Sequence, residues 1–392
     1  MTGGVLVLNA GSSSVKFAVY EREGDGVREA PDLKGHISGI GGANTPHSDV
    51  RMAGEACNWG PPPASGQPDV LKWIVANLRD RSGGAGPSVA GHRIVHGGPD
   101  YSEPVLIDDD VVARLEALTP LAPNHQPHNL AGVAAVASIW PDLPQVACFD
   151  TAFHRTQPSV AQAFALPRRL TEAGVLRYGF HGLSYAFIAG RLPEVLGDRA
   201  DGRVIVAHLG HGASLCAMKA RRSVATTMGF TALDGLPMGK RCGDLDPGVV
   251  LHLLQGEGMS VDEVAHLLNK ESGLLGVSGV SDDMRDLLES TSAHAREAVD
   301  LFVYRAVREI GSMAAALGGL DALVFTAGIG ENASEIRRRI CEGCAWLGVR
   351  LDAAANARNA ETISEPGSDP RVLVLATDEE AVIAASAARL LG

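Results

Sequence analysis

The sequence predicts an α/β protein of two domains, and three observations carry that expectation. Strand-like and helix-like segments alternate along the chain, one strand–turn–strand pattern occurs twice, and 392 residues exceed the size at which a single core normally keeps growing. The first copy of the pattern is Val5 to Phe17, VLVLNAGSSSVKF, and the second is Val204 to Met218, VIVAHLGHGASLCAM. Aligning them places Asn9 over His208 and Gly11 over Gly210, each after an aliphatic strand and before a second apolar run. Small residues at the bend let backbone N–H groups and hydroxyls approach phosphate oxygens, while Lys16 supplies charge. A Gly–Ser turn also serves simply to join two strands, so either copy alone is ambiguous. The repeat favours a two-lobed phosphate clamp.

The other elements follow in chain order. Glu21 to Gly54 is Gly-rich and charged and reads as strands and long turns, and Pro61 to Pro68 reads as a loop. Val70, Ile74 and Leu78 give Asp69 to Arg79 a helical spacing, and Ser88 to Val95 reads as a strand ending in HRIVHGG. Asp108 to Leu118 and Asn129 to Ile139 read as amphipathic helices, and Gln145 to Phe149 as a buried strand running into CFDTAFH. A domain boundary is expected near that point, because the second hairpin opens a new series at about residue 203. Pro247 to Leu254, Ser260 to Asn269 and the Ala-rich Ala293 to Leu317 have helical spacing, and Asp321 to Thr326 reads as a strand. Val372 to Leu375 reads as a strand and Glu379 to Leu391 as a helix, with Thr377 and Glu380 at capping-box spacing.

Composition removes several function classes. Hydrophobic residues at 45% with 20% charged are those of a soluble globular protein, and no apolar stretch approaches bilayer-spanning length. Met1 to Leu8 has no basic region ahead of its short apolar run, so no signal peptide is expected and the cytoplasm is the expected compartment. A net charge of −12 argues against a nucleic-acid surface, so positive charge for a phosphate ligand must be local. Six scattered cysteines do not frame a disulfide scaffold. Cys341 and Cys344 form a CxxC without a second pair or a nearby histidine, and they read as structural thiols.

Three further motifs bear on chemistry. FTAGIGEN, Phe325 to Asn332, follows a strand, and its Gly328, Gly330 and Ala333 fit GxGxxA with Asp352 near the spacing of a ribose carboxylate. A dinucleotide site would explain this loop but not the paired hairpins, whereas a nucleotide-contacting loop without hydride chemistry covers all three. GLPMGKR, Gly235 to Arg241, fails as a P-loop, with three residues between its glycines and Arg where Ser or Thr should bind Mg²⁺. Finally, Arg93, His125, Asp150, His181 and Arg241 sit in unusually specific strings. Each alone suits a hydrogen-bonded structural group; together they suit phosphoryl transfer, which needs bidentate arginines, a donor to developing charge and an orienting carboxylate.

These strings resemble those of the acetate kinases, in the acetate and propionate kinase group of the sugar kinase, heat-shock ATPase and actin superfamily. The matches run in order through LNAGSSSVKF, HRIVHGG, FDTAFH, YGFHG, HLGHGAS, MGFTALDGL, FTAGIGEN and TDEE. The resemblance implies two duplicated ribonuclease-H-like (actin-like ATPase) domains with an interdomain cleft, residues 1–150 plus 379–392 forming one and 151–378 the other. It implies transfer of a phosphoryl group from ATP to acetate, giving acetyl phosphate and ADP, in a homodimer. Asn9 and Glu379 match the metal positions, for Mg²⁺ or Mn²⁺ in its place. Ser12, Ser14 and Lys16 match the first phosphate hairpin, and His208, Leu209, Gly210, His211 and Gly212 the second. Asp283, Met284 and Arg285, with Gly328, Ile329, Gly330, Glu331 and Asn332, match the adenosine-contacting segments. Arg93 corresponds to the carboxylate-binding arginine, with Val95, His125 and Phe180 also at the substrate. Asp150 matches the catalytic aspartate, and His181 and Arg241 the groups that stabilise the transferring phosphoryl.

The chain departs from the family pattern at several places. His211 stands where most relatives have Asn in GNG, and Leu183 and Tyr185 replace Thr and His in GFHGTSH. Asn124 replaces a Leu and Ala232 a Pro, which would make the small apolar pocket roomier and more polar and relax specificity toward propionate or a hydroxylated short acid. An outward-turned Asn124 would leave acetate preferred. A nucleotide switch without catalysis would not need Arg93, Asp150, His181 and Arg241, and an NAD-dependent dehydrogenase rests on GxGxxA alone. Trapping acyl phosphate as hydroxamate separates the three classes.

Overall fold

The computed structural model describes residues 3–11, 13–42, 45–84 and 86–391, and the chain divides into two compact units, Met1–Phe153 with Asp378–Gly392, and His154–Thr377. In the first unit the central strand Val5–Ala10 pairs antiparallel with Ser14–Tyr20 and parallel with Val89–Ile94. Gln145–Phe149 adds parallel to Val89–Ile94, and Leu33–Ser38 adds antiparallel to Ser14–Tyr20. Short strands His47–Met52, Glu55–Ala56 and Val105–Leu106 extend the two edges.

Helices cover both faces of this sheet. On one, Gln67–Arg81 begins at Gly66 with a proline in its first turn and presents Val70, Leu71, Ile74, Val75 and Leu78 to Leu6, Leu8 and Phe17. Each such buried aliphatic side chain contributes about 1.5–3 kcal/mol. On the other face lies Glu379–Leu391, where Ile383 packs so closely on Gly91 that a β-carbon there would stand 2.5 Å from it. Asp378 caps this helix, accepting the Ala381 N–H at 2.9 Å, so the expected capping box from Thr377 is corrected by one residue. Thr377 instead donates its backbone N–H to Glu331.

The second unit repeats the plan. Arg203–Leu209 is central, antiparallel to Ala213–Lys219 and parallel to Ala322–Thr326, with Arg222–Thr226 and Arg371–Val374 outside them. In each unit the five main strands lie in the order third, second, first, fourth, fifth. The duplicated ribonuclease-H-like fold is thus present in both sheets, and the hairpin seen twice in the sequence is the start of each. The helix expected over Ser260 to Asn269 is shorter, Val261–His266 with a capping box from Ser260 and Glu263, and widens into a π-turn at Leu267–Glu271. Among the described residues no helix is long and apolar enough to cross a membrane.

Candidate functional site

In the first unit four polar side chains gather where neighbouring strands end. Asn9 comes from the central strand, Arg93 from Val89–Ile94, Asp150 directly follows Gln145–Phe149, and Glu379 opens the C-terminal helix. Arg93 Nε donates to both Asp150 oxygens at 3.1 Å and Nη2 donates to Oδ2 at 2.6 Å. Nη1 donates to Asn9 Oδ1 at 3.2 Å, and Glu379 Oε2 stands 4.0 Å from Nε. Asp150 is 1% exposed and Arg93 22%, so the buried carboxylate anchors an arginine whose outer edge reaches solvent. Burial opposes the Arg93 charge, but Asp150 and Glu379 more than offset it and hold the guanidinium above its ordinary value.

Side-chain staples fix the surrounding backbone. Asn129 Nδ2 donates to Ala10 O at 2.7 Å while its Oδ1 accepts the Val95 N–H at 2.8 Å, which ties the hairpin to the strand carrying Arg93. Gln67 Nε2 donates to Gly11 O at 2.9 Å. Lys16 is exposed and pairs across the hairpin with Asn9, and Ser14 is half-buried at the bend. Val95 is buried, and His125 is exposed at the start of Gln126–Ile139. Ser12 lies outside the described residues. Asn124 is exposed, so the premise that a buried carboxamide needs substrate or water as partner is not met.

The second unit builds a cluster around a bare hairpin tip. His181 adopts φ +60° at the head of Gly182–Leu196, and its Nδ1 lies 2.9 Å from Ser214 Oγ on the second hairpin. A β-carbon on Gly212 would stand 2.8 Å from Arg241 Nη2 and 3.2 Å from His181 Nε2, so glycine lets both groups lie against the tip. Arg241 Nη1 donates to Ala232 O at 2.6 Å, which aims the guanidinium. His208 stacks on His181 at 4.2 Å and hydrogen-bonds Ser184 at 2.8 Å. Phe180 is buried, and its carbonyl accepts from His154 Nε2.

Beside this cluster a pocket of about 700 Å³ is lined by Gly210, His211, Asp283, Met284, Arg285, Gly328, Ile329 and Asn332, with Asp282, Leu288, Glu289 and Ala333. The expected segments therefore converge, and three lining residues, Asp282, Leu288 and Glu289, were not singled out in the sequence. Asp283 caps Met284–Glu289 and pairs with Arg285 at 2.7 Å, which holds its carboxyl below the ordinary range. His211 Nε2 bonds Asp282 at 3.0 Å. Leu209 is buried, and Gly330 and Glu331 support the loop rather than line the pocket. Glu331 accepts the Ala327 N–H at 2.8 Å, and the fully buried Arg337 donates to the Gly330 and Glu331 carbonyls at 2.9 Å and to Asn356. Asp352 caps Ala353–Ala357, so it is committed to a helix start and the dinucleotide reading loses its ribose carboxylate.

Among the described residues no group of three His, Cys, Asp or Glu side chains could hold a metal by itself. Asn9 Oδ1 and the Glu379 carboxylate, both beside Arg93, are hard oxygen donors that fit a divalent ion completing its shell with water and phosphate. Cys341 and Cys344 are buried, and burial pushes the Cys344 thiol up to about 12, which suits structural thiols.

Residues 4–385 match the model of the Acetokinase family. The chain is 55% identical over 395 residues to an acetate kinase of Rhodopseudomonas palustris, covering 100% of this chain and 99% of that protein. It is 47% identical to an acetate kinase of Rhizobium meliloti, with 97% and 96% covered. The crystal structure of Porphyromonas gingivalis acetate kinase superposes with a TM-score of 0.86 at 36% identity, with 100% of each chain covered. A propionate kinase from Francisella tularensis superposes with a TM-score of 0.91 at 36% identity, covering 98% of each.

Proposed function

Because the chain belongs to the acetokinase family and transfers a phosphoryl group from ATP to the carboxylate of acetate, we propose that its two polar clusters divide that reaction between them. An acetate oxygen attacks the γ-phosphorus in line, the bond to the β,γ-bridging oxygen breaks, and acetyl phosphate and ADP leave; the same groups serve the reverse direction. Acetate is already ionised at neutral pH, so no strong base is required and positioning with charge neutralisation must supply the rate.

Arg93 binds the carboxylate. Its bonds to Asp150 and Asn9 use Nε–H and one N–H of each terminal nitrogen, which leaves one N–H on each terminal nitrogen for acetate. Asp150 holds that fork in place. Asn9 and Glu379 would hold the metal, with Mg²⁺ as our reading of the divalent ion and Mn²⁺ as its substitute. When bound, the ion supplies charge neutralisation at the phosphate oxygens. Lys16 and the first bend contribute further phosphate contacts, and family resemblance assigns Val95, His125 and Phe180 to the substrate.

Arg241 and His181 donate to the phosphoryl oxygens as charge develops, with Gly210 and Gly212 giving the phosphates access to backbone. The pocket bounded by Asp283–Arg285 and Gly328–Asn332 takes the nucleoside. The observation that carries this reading is the convergence of Arg241 Nη2 and His181 Nε2 on the bare Gly212. Arg241→Ala should depress kcat by about two to three orders of magnitude with little change in KM for ATP. Arg93→Ala should instead raise KM for acetate most. Hydroxamate-coupled kinetics check both, and unchanged turnover in Arg241→Ala removes its role. Family resemblance supports a homodimer and the absence of a signal-peptide pattern the cytoplasm, and sedimentation velocity reads the first.

A further inference from the structure

The wall behind His181 contains a hydrogen-bonded chain that the reaction above does not use. Tyr185, one turn along the helix that His181 begins, is fully buried, and its hydroxyl lies 2.5 Å from Ser214 Oγ. Ser214, also fully buried, lies 2.9 Å from His181 Nδ1. The tyrosine ring is set edge-on against His154 at 5.5 Å and His208 at 6.3 Å, so its hydroxyl is fixed by packing.

The direction of the chain follows from acidity. A phenol is a stronger donor and a weaker acceptor than an aliphatic hydroxyl, so in this pair Tyr185 donates and Ser214 accepts. Burial holds the Tyr185 phenol far above its ordinary value, so its proton stays in place. Ser214 is then turned to donate its own proton to His181 Nδ1. A ring that accepts at Nδ1 carries its proton at Nε2, the nitrogen that faces Gly212 beside Arg241. The Arg241 guanidinium beside Gly212 opposes a second positive charge on that ring.

We propose that Tyr185 is a positioning residue which, through Ser214, fixes His181 as the neutral Nε2–H tautomer and so presents a donor, not a lone pair, to the phosphoryl oxygens. The inference rests on the role given above to His181. The family motif described above has histidine where this chain has Tyr185.

Tyr185→Phe keeps the ring and removes only the phenol oxygen, and Ser214→Ala cuts the chain at its other link. Ring ¹⁵N shifts of His181, assigned by difference against His181→Gln, should show one Nε2–H form in the native protein and a tautomer mixture in both variants. Their kcat should fall about tenfold with KM for ATP and acetate unchanged. A native Nδ1–H form, or variant spectra identical to native, overturns the proposal. The spectra are recorded without substrate, so they stand apart from the role of His181: full turnover in His181→Gln would remove that role while the spectra still decide the relay.

Discussion

The two hairpins share strand geometry and differ at the tip. In the first, Ala10 pairs with Val15, so four positions separate the last paired residues. In the second, Leu209 pairs with Ala213 and three residues, Gly210 to Gly212, suffice. The extra residue changes what faces the strand position that the alignment equates. Asn9 lies opposite an exposed lysine and bonds Arg93, whereas His208 lies opposite a buried serine and bonds Ser184. One scaffold therefore sets an exposed lysine and the Arg93 cluster beside one hairpin, and a buried serine–histidine network with Arg241 against the tip beside the other. Duplication conserved the backbone plan, and the side chains at the bend took on different chemistry.

The sharpest way to break that contrast is to add one methyl to each tip. In Gly212→Ala the new carbon meets Arg241 Nη2 at 2.8 Å and His181 Nε2 at 3.2 Å, side-chain ends rather than backbone, so folding is spared and the guanidinium is displaced. We expect kcat to fall about 100-fold with the melting temperature little changed. Gly11→Ala meets Ser14 O at 3.1 Å, which a small shift relieves, and should cost no more than about threefold in kcat. Equal losses in the two variants would mean that the tips are not functionally different.

A smaller effect tests where the units agree. Each contains a buried histidine, His92 against Gln145 and His154 between Ser223 and Phe180, and burial pushes both down to about 4. The folded rings stay neutral while the unfolded chain takes up protons near 6.5, so stability is full above that pH and drains as pH falls toward about 4. Each ring should contribute a slope of up to about 1.4 kcal/mol per pH unit in that window. Urea unfolding at pH 7 and pH 5 should show the loss in the native protein and a shallower one in His154→Gln; an unchanged slope would remove His154 from the acid response. The smallest effect concerns Asn124. Because it is exposed, Asn124→Leu should change the propionate-to-acetate ratio of kcat/KM by less than about threefold, whereas a pocket methylene contact would be worth about tenfold or more.

Much of this was legible in the chain because the signals were local. Apolar periodicity located Gln67–Arg81, Gln145–Phe149 and Ala293–Leu317, and the hairpin strings located both tips. What escaped was long-range. Nothing near Asn129, Gln67, Ser214 or Arg337 announces that each holds a backbone or ring 19 or more residues away. A buried arginine bonded to carbonyls and amides, with no carboxylate partner among the described residues, has no periodic signature. Asn124 shows the converse: its type suggested a polar pocket wall, and its exposure depends on how the turn before Gln126–Ile139 is cut.

The seat of Glu379–Leu391 on Gly91 has a consequence for synthesis. Residues 154–377 are contiguous, so the second unit can finish folding as soon as it has left the ribosome. The first unit is made earliest yet lacks one face of its sheet until residues 378–391 emerge. Glu379 is accordingly the last member of the Arg93 cluster to arrive, and a nascent chain stalled before it would hold a complete second unit beside a half-clad, catalytically silent first one.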